Sequence, residues 1–451
     1  MAGRRNVGLN GPKTLLTMSA IVAAMGGLLF GFDTAVISGV THSLVLTYRL
    51  SPGTLGLTVS SALVGTILGA TFAGFPADRW GRKWTLMALA TLYLVSALGC
   101  AFAWNWYALV LFRIIGGLGI GGSSVLGPMY IAEISPPQWR GRLVGLFQFN
   151  ICTGILFAYL SNYLLGLAVP GPIEWRLKLG VSALPALAFG LLVLTIPESP
   201  RWLVKRNREV EARNVLRVIM GAECDILLSQ MILARDAKEE AFDDRLFSKA
   251  HKLPIFLAVS IGAFNQLSGV NAILYYINDI FAQAGFDAIS SNLQAVAVGA
   301  TNFLFTLLAM SMIDRLGRRR LLLIGAVGTA TCLGGVASIF FTGGHQNLLV
   351  WLLIAFIGFF SFSQGAVIWV YLSEVFPTSV RAKGASLGSL THWLLNALVS
   401  GFYPIVAAKS GGKPFAFFAC MMLLQFIVVF FYYPETKGFS LEEMQARIAV
   451  S

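Results

Sequence analysis

Residues 78–82 read Asp78-Arg79-Trp80-Gly81-Arg82, and residues 314–318 read Asp314-Arg315-Leu316-Gly317-Arg318, an interval of 236. Two further motifs follow each copy. Tyr130-x-x-Glu133 with Arg140 returns as Tyr371-x-x-Glu374 with Arg381 at an interval of 241, and Pro197-Glu198 returns as Pro434-Glu435 at 237. Three motifs in one order at nearly one spacing indicate an internal duplication. Each five-residue motif sits in a short connector between apolar runs, so the duplicated unit is a set of membrane spans.

Composition supports this. The chain has 451 residues, 56% hydrophobic and 12% charged. A soluble domain carries roughly 25% charged residues, so lipid replaces water around most of this molecule. Length alone would suggest two or three soluble domains, but apolar runs along the whole chain point to one membrane body. The formal charge of +12 does not mark a nucleic-acid binder. The basic residues gather in short loops at Arg79, Arg82 and Lys83, at Arg140 and Arg142, at Arg315 and Arg318–Arg320, and at Arg381 and Lys383, which is the positive-inside pattern.

A window of roughly 20 residues finds about twelve apolar runs, near 14–39, 55–77, 84–103, 107–132, 143–165, 178–197, 254–284, 292–313, 320–342, 347–373, 383–408 and 415–433. An even count returns the chain to its starting side, and the basic loops make that side the cytoplasm. The basic segment Met1–Lys13 reads as a cytoplasmic tail, because the run after it is too long for a cleaved signal. Between Arg201 and Lys252 charges alternate with Val, Leu and Ile, which suggests short amphipathic cytoplasmic helices, and a similar helix is expected after Ser440 with Leu441, Met444 and Ile448 on one side. The expected fold is therefore all-α: twelve transmembrane helices in two pseudo-symmetric six-helix bundles. Residues 1–200 form the first bundle, 201–252 the linker helices, 253–433 the second bundle and 434–451 a cytoplasmic tail. Parallel repeats of this kind place a substrate site between the halves near the bilayer midplane.

The five cysteines (Cys100, Cys152, Cys224, Cys332, Cys420) form no C-x-x-C pair, which argues against a disulfide framework or a metal site. No N-x-S/T acceptor occurs, in keeping with a bacterial source. No nucleophile triad or phosphate loop appears, so an enzyme is not expected and no cofactor is called for. Gly116-Gly117 and Gly121-Gly122 lie inside a span and read as close helix packing.

Gly31-Phe32-Asp33-Thr34-Ala35-Val36-Ile37-Ser38-Gly39, Arg113-Ile114-Ile115-Gly116-Gly117, Pro197-Glu198-Ser199-Pro200-Arg201-Trp202-Leu203, Gln266-Leu267-Ser268-Gly269-Val270-Asn271 and Pro434-Glu435-Thr436-Lys437-Gly438 occur in that order. With them the chain resembles the sugar porters of the major facilitator superfamily, which include bacterial xylose–proton symporters and facilitative glucose transporters. The resemblance covers nearly the whole chain. It implies that Asp78, Arg82, Glu133, Arg140, Glu198, Arg201, Asp314, Arg318, Glu374, Arg381 and Glu435 form charge networks that interlock the halves on the cytoplasmic side when the transporter opens outward.

Ionisable residues within spans are functional suspects by default. Asp33 lies in the first run and Arg113 in the fourth, each costly alone, so a pair is expected. They resemble the aspartate and arginine that handle the proton in sugar–proton symporters. A static ion pair stapling two spans is the alternative. Gln266 and Asn271 are five residues apart, roughly 140° on a regular helix, so both line one cavity only if the helix breaks at Ser268-Gly269. Amides suit sugars because they donate and accept, as hydroxyls do. The resemblance implies that Gln148, Gln266, Asn271, Asn302 and Trp369 line a sugar site; Asn265, His392 and Asn396 join the candidate set. Phe30, Tyr275, Tyr276 and Trp393 are candidate gating aromatics, with simple packing as the alternative for the two tyrosines. Asn265 stands where many relatives have Gln, and His392 where they carry Gln or Asn. Ile155 and Ser182 stand where xylose symporters have a second Gln and a buried Glu.

The reading is a monomeric, multi-pass carrier of the plasma membrane (the inner membrane of a bacterium), both termini cytoplasmic, moving a monosaccharide together with protons. A uniporter, an inositol or polyol symporter and a sugar sensor are the alternatives.

Overall fold

The computed structural model describes residues 12–169, 171–221, 224–237, 246–248, 251–376 and 380–437. Among the described residues, twelve helices are long and apolar enough to cross a membrane: Thr14–Gly39, Pro52–Phe72, Arg82–Ala101, Trp106–Ile134, Trp139–Ala168, Glu174–Val193, Lys252–Tyr275, Ala288–Ile313, Arg318–Thr342, Asn347–Leu372, Lys383–Lys409 and Gly412–Tyr432. The described residues contain no strand. The expected helix after Ser440, and Lys238, Glu239, Glu240, Asp243 and Asp244 of the linker, lie outside the described residues.

Local chemistry sets several span ends. Ser51 caps the second span, accepting from the Thr54 amide at 3.2 Å with Pro52 at the first helical position. Asn105 caps the fourth span through the Ala108 amide at 2.8 Å, and Asp287 caps the eighth through the Ser290 amide at 2.6 Å. The sixth run stops at Val193, earlier than the apolar pattern suggests, because Pro197 approaches and removes the helical option for the residue before it.

Within the first half, the first span packs on the fifth, the second on the fourth, and the third on the fourth and sixth. The second half repeats this with seventh on eleventh, eighth on tenth, and ninth on tenth and twelfth. The halves meet through two equivalent pairs, second with eleventh and fifth with eighth. Gly117 and Gly121 place the fourth span against the Ala62 and Thr66 carbonyls of the second, where no Cβ fits.

Between the halves lie short helices at Pro200–Lys205, Glu209–Met220 and Cys224–Ala237. Ala212 and Leu216, one turn apart, bury one stripe with Trp202, Leu203 and Leu228 while charged neighbours face outward, the amphipathic form expected from the sequence.

Candidate functional site

Alternation of the spans sorts their ends onto two faces. One, the charged face, carries 78–82, 133–140, 194–221, 224–237, 246–248, 314–318, 374–376, 380–383 and the end of the twelfth span. The opposite face carries the loops near 40–51, 102–105, 171–173, 276–287, 343–346 and 410–411.

Arg113 and Asp33 are brought together. Arg113 Nη1 stands 3.7 Å from Asp33 Oδ1, with side-chain exposures of 2% and 27%. Arg113 Nε also donates to the Thr58 carbonyl at 3.0 Å, tying the fourth span to the second. Beside the pair is a cavity of about 20 Å³, lined among others by Tyr93, Ser96, Cys100 and Ser182. It has room for about one water. Tyr93 Oη is 2.9 Å from Ser123 Oγ and donates to the Gly26 carbonyl at 3.3 Å. Ser182, at the position of the missing glutamate, reaches this same cavity while its hydroxyl donates to the Leu179 carbonyl at 2.7 Å.

The seventh span breaks where the amide spacing requires it. Its helix runs to Leu267, Gly269 takes φ 78°, and a second helix starts at Val270. The offset brings the amides together. Asn271 Nδ2 donates to Gln266 Oε1 at 2.9 Å, and Gln266 Nε2 donates to Asn265 Oδ1 at 3.1 Å. Gln266 Nε2 also lies 3.1 and 3.2 Å from the two ring nitrogens of His392. His392 stands between Trp369 and Trp393, with ring centroids at 5.2 and 5.0 Å. Trp393 in turn meets Phe30 of the first half at 5.4 Å.

A second polar group joins the halves at the fifth and eighth spans. Gln148 Nε2 contacts Cys152 Sγ at 3.8 Å, and Cys152 lies 3.7 Å from Asn302 Oδ1 and 3.3 Å from Thr306 Oγ1. Ser361 donates to Asn302 Oδ1 at 2.9 Å, and three residues on, the Gln364 carbonyl accepts from Asn265 at 3.4 Å. The broken tenth span, with its helix ending at Phe362 and restarting at Gln364, thus touches both polar groups. Asn396 is buried one turn from Ser400, which donates to its Oδ1 at 3.1 Å. Tyr275 and Tyr276 are both buried. Tyr276 donates to the Ser400 carbonyl at 3.0 Å and stacks on Tyr403 at 5.0 Å, a packed arrangement.

On the charged face, Arg82 is the hub of the first half. It pairs with Glu133 at 2.9 Å and Asp78 at 3.1 Å. Glu198 accepts from the Arg82 amide at 2.8 Å, at a helix N-terminus that favours a carboxylate. Arg318 repeats the pattern, pairing with Glu374 at 3.0 Å while Glu435 accepts from its amide at 2.8 Å. Glu133 therefore faces Arg82 and not Arg140, whose buried Nε has no hydrogen-bond partner among the described residues. Arg381 Nε donates to the Phe376 carbonyl at 3.2 Å, and Arg201 is exposed. The Asp314 side chain lies outside the described residues. Among the described residues the Arg82 ion pairs join groups of the first half, and the Arg318–Glu374 pair joins groups of the second.

Asp78 also accepts from Lys205 at 2.9 Å, fastening the Pro200–Lys205 helix to the short helix Gly74–Trp80 that follows the second span. Burial pushes its carboxyl up, but the bonds from Lys205 and Arg82 outweigh this and hold it below the usual carboxylate range.

Sequence reasoning passed over the polar contacts on the opposite face. Lys178, 2% exposed, pairs with Glu174 at 2.5 Å and donates to the Gly39 carbonyl at 3.0 Å. Thr41 Oγ1 lies 3.0 Å from Asp279 Oδ1, and Tyr159 donates to the Leu274 carbonyl at 2.8 Å, both across the halves. The available signal was a carboxylate, Asp279, inside the run at 254–284.

A family model described as sugar (and other) transporter matches residues 19–447. The chain is 35% identical to the D-xylose-proton symporter of Escherichia coli (strain K12) over 465 residues, covering 94% of each chain. It is also 35% identical to the arabinose-proton symporter of Bacillus subtilis (strain 168), over 94% of this chain and 93% of that one. Among solved structures, the partially occluded inward-open xylose transporter of E. coli superposes with a TM-score of 0.84 at 32% identity, covering 94% of this chain and 99% of that one.

Proposed function

Because the chain belongs to the sugar transporter family of the major facilitator superfamily, whose members are carriers and not enzymes, we propose that it is a proton-coupled monosaccharide symporter working by alternating access. The observation that carries this reading is the Asp33–Arg113 pair. A guanidinium buried in one span faces a partly accessible carboxylate in another. Such a carboxylate exchanges protons with water while the guanidinium answers each change of its charge.

In this reading Gln148, Gln266, Asn271, Asn302 and Trp369 hold the sugar, aided by Asn265, His392 and Asn396. The amides match its hydroxyls and the indole covers its apolar face. Phe30 and Trp393 close over it from opposite halves. Residues 1–200 and 253–433 are the two moving units, joined by the helices of 201–252 and followed by a tail at 434–451. The carrier is a monomer of the cytoplasmic membrane, and the charged face with both termini is the cytoplasmic one. The contacts across the halves on the opposite face, Thr41 with Asp279 and Tyr159 with Leu274, support a carrier facing the cytoplasm.

The test is uptake of a panel of pentoses, hexoses and polyols by proteoliposomes, with and without an inward proton gradient. One substrate should accumulate above its external concentration only when the gradient is present. Equilibration without accumulation for every substrate would replace symport by facilitated diffusion.

A further inference from the structure

Asp279 lies on the short helix Ile277–Gln283 that follows the seventh span, at the seam between the halves on the face opposite the charge clusters. Its Oδ1 is 3.0 Å from Thr41 Oγ1, and its Oδ2 is shielded from solvent without a hydrogen-bond partner among the described residues. The Thr41 hydroxyl also lies 3.2 Å from the Ser38 carbonyl. A hydroxyl carries one proton, and an ionised carboxylate only accepts. An ionised Asp279 and the Ser38 carbonyl therefore compete for one donor. A protonated Asp279 removes the conflict, because its O–H donates to Thr41 Oγ1 and Thr41 then donates to Ser38. The orphan Oδ2 is also far cheaper to bury as part of a neutral acid than as half of a carboxylate.

The groups around it among the described residues do not supply a counter-charge. From its own half come the phenols of Tyr276 and Tyr403, and Asn278, which donates to Asn292 of the eighth span at 2.6 Å. From the first half come Thr41 and the backbone of 37–39. Lys178 reaches the Gly39 carbonyl but is already paired with Glu174, and His42 and Arg49 are exposed.

We infer that Asp279 is a second proton-titratable residue of the transport cycle, one that enters the closed outer gate as the neutral acid. Parting of the halves hydrates it, and it releases its proton to external water. Closure takes a proton back from the same side. The proton is therefore not cargo. It makes closure of the outer gate easier as the external medium turns acidic, separately from any role of Asp33. The inference rests on the alternating-access reading, but its test reads the gate and not transport.

The experiment places spin labels at Thr47 and Gln283, exposed positions on the two sides of the seam, in the full-length protein with the exposed Cys420 replaced by alanine. Asp33→Asn is included so that Asp33 contributes nothing to the response. Inter-label distances are measured from about pH 5 to about pH 8, a range that brackets perturbed carboxyl groups. The long-distance population should grow with pH, by up to about tenfold per pH unit for one linked proton. Adding Asp279→Asn, an amide that donates and accepts like the acid, should make the population independent of pH, and Asp279→Glu should restore a response with a displaced midpoint. A population independent of pH in the Asp33→Asn protein, or a response that survives Asp279→Asn, would overturn the inference. Failure of proton-driven uptake would leave this result untouched.

Discussion

Arg113 reaches Asp33 across 3.7 Å while its Nε stays bonded to the Thr58 carbonyl at 3.0 Å, so the guanidinium is anchored and the carboxylate is the member open to solvent. The anchor fixes which partner responds. When Asp33 gains a proton, Arg113 keeps its backbone acceptor and the ionic tie between the first and fourth spans is lost. Asp33→Asn should hold the protein in that condition. Accumulation driven by a proton gradient is expected to vanish, while exchange of labelled sugar across the membrane continues, since exchange needs no net proton movement. Loss of exchange and accumulation together, with lowered thermal stability, would instead mark a structural staple. Breaking a buried pair typically costs about 3–5 kcal/mol.

Gln266 sits at the centre of the amide group, within 3.2 Å of Asn265, Asn271 and His392. Removing one side of a buried hydrogen bond costs about 1–3 kcal/mol, and each 1.4 kcal/mol is about tenfold in affinity. Gln266→Ala should therefore raise the sugar Kd by about tenfold or more, with insertion and folding intact, as read by calorimetry on the purified protein. His392→Gln should alter the ranking of sugars in a competition assay. An unchanged Kd in the first and an unchanged ranking in the second would remove these residues from the site.

Gly269 holds φ 78° with the Phe418 ring against it. A side chain in that region costs about 1–2 kcal/mol in backbone energy alone, and here it also meets the ring. Gly269→Ala should lower the melting temperature and weaken sugar binding together, because the break is what turns Gln266 and Asn271 toward each other. A mutant with normal melting and normal affinity would show that the break is dispensable.

Asp78 gives a pH signature. Its carboxyl is held below the usual range by Lys205 and Arg82, so its stabilising contribution is present above the ordinary carboxylate pKa and is lost as pH falls through the lowered value. The Trp202 indole donates to the Asp78 carbonyl at 3.0 Å and reports on the docked helix. On acid titration, Trp202 fluorescence should change as the Pro200–Lys205 helix loosens. In Asp78→Asn that acid transition should be absent and the helix looser at neutral pH. A transition identical in both proteins would assign it to another group.

Much of this architecture is legible in the chain. Spans follow from apolar run length, the duplication from three repeated motifs, and the break at Ser268-Gly269 from the angle between Gln266 and Asn271. These are local properties. Partner choice is not. The sequence sets Glu133 near Arg140 without naming the partner of either, and packing of the third span on the fourth places Arg82, 51 residues away, against Glu133. The Thr41–Asp279 contact spans 238 residues and exists only because one face of the bundle is closed. Hydropathy also hid Lys178. It lies at the edge of a run, where a lysine ordinarily reaches for the interface, yet Glu174 and the Gly39 carbonyl hold it inside.

In symport sugar and proton cross together, and proton movement evoked by sugar alone measures this directly. Proteoliposomes in weak buffer, with no pH gradient and the membrane voltage clamped by a potassium ionophore, receive external sugar while external pH is recorded. Coupling requires that the medium turn alkaline on sugar addition, and that this change be absent in Asp33→Asn although labelled sugar still exchanges. Downhill uptake of labelled sugar by the wild-type protein with no change in external pH would contradict it.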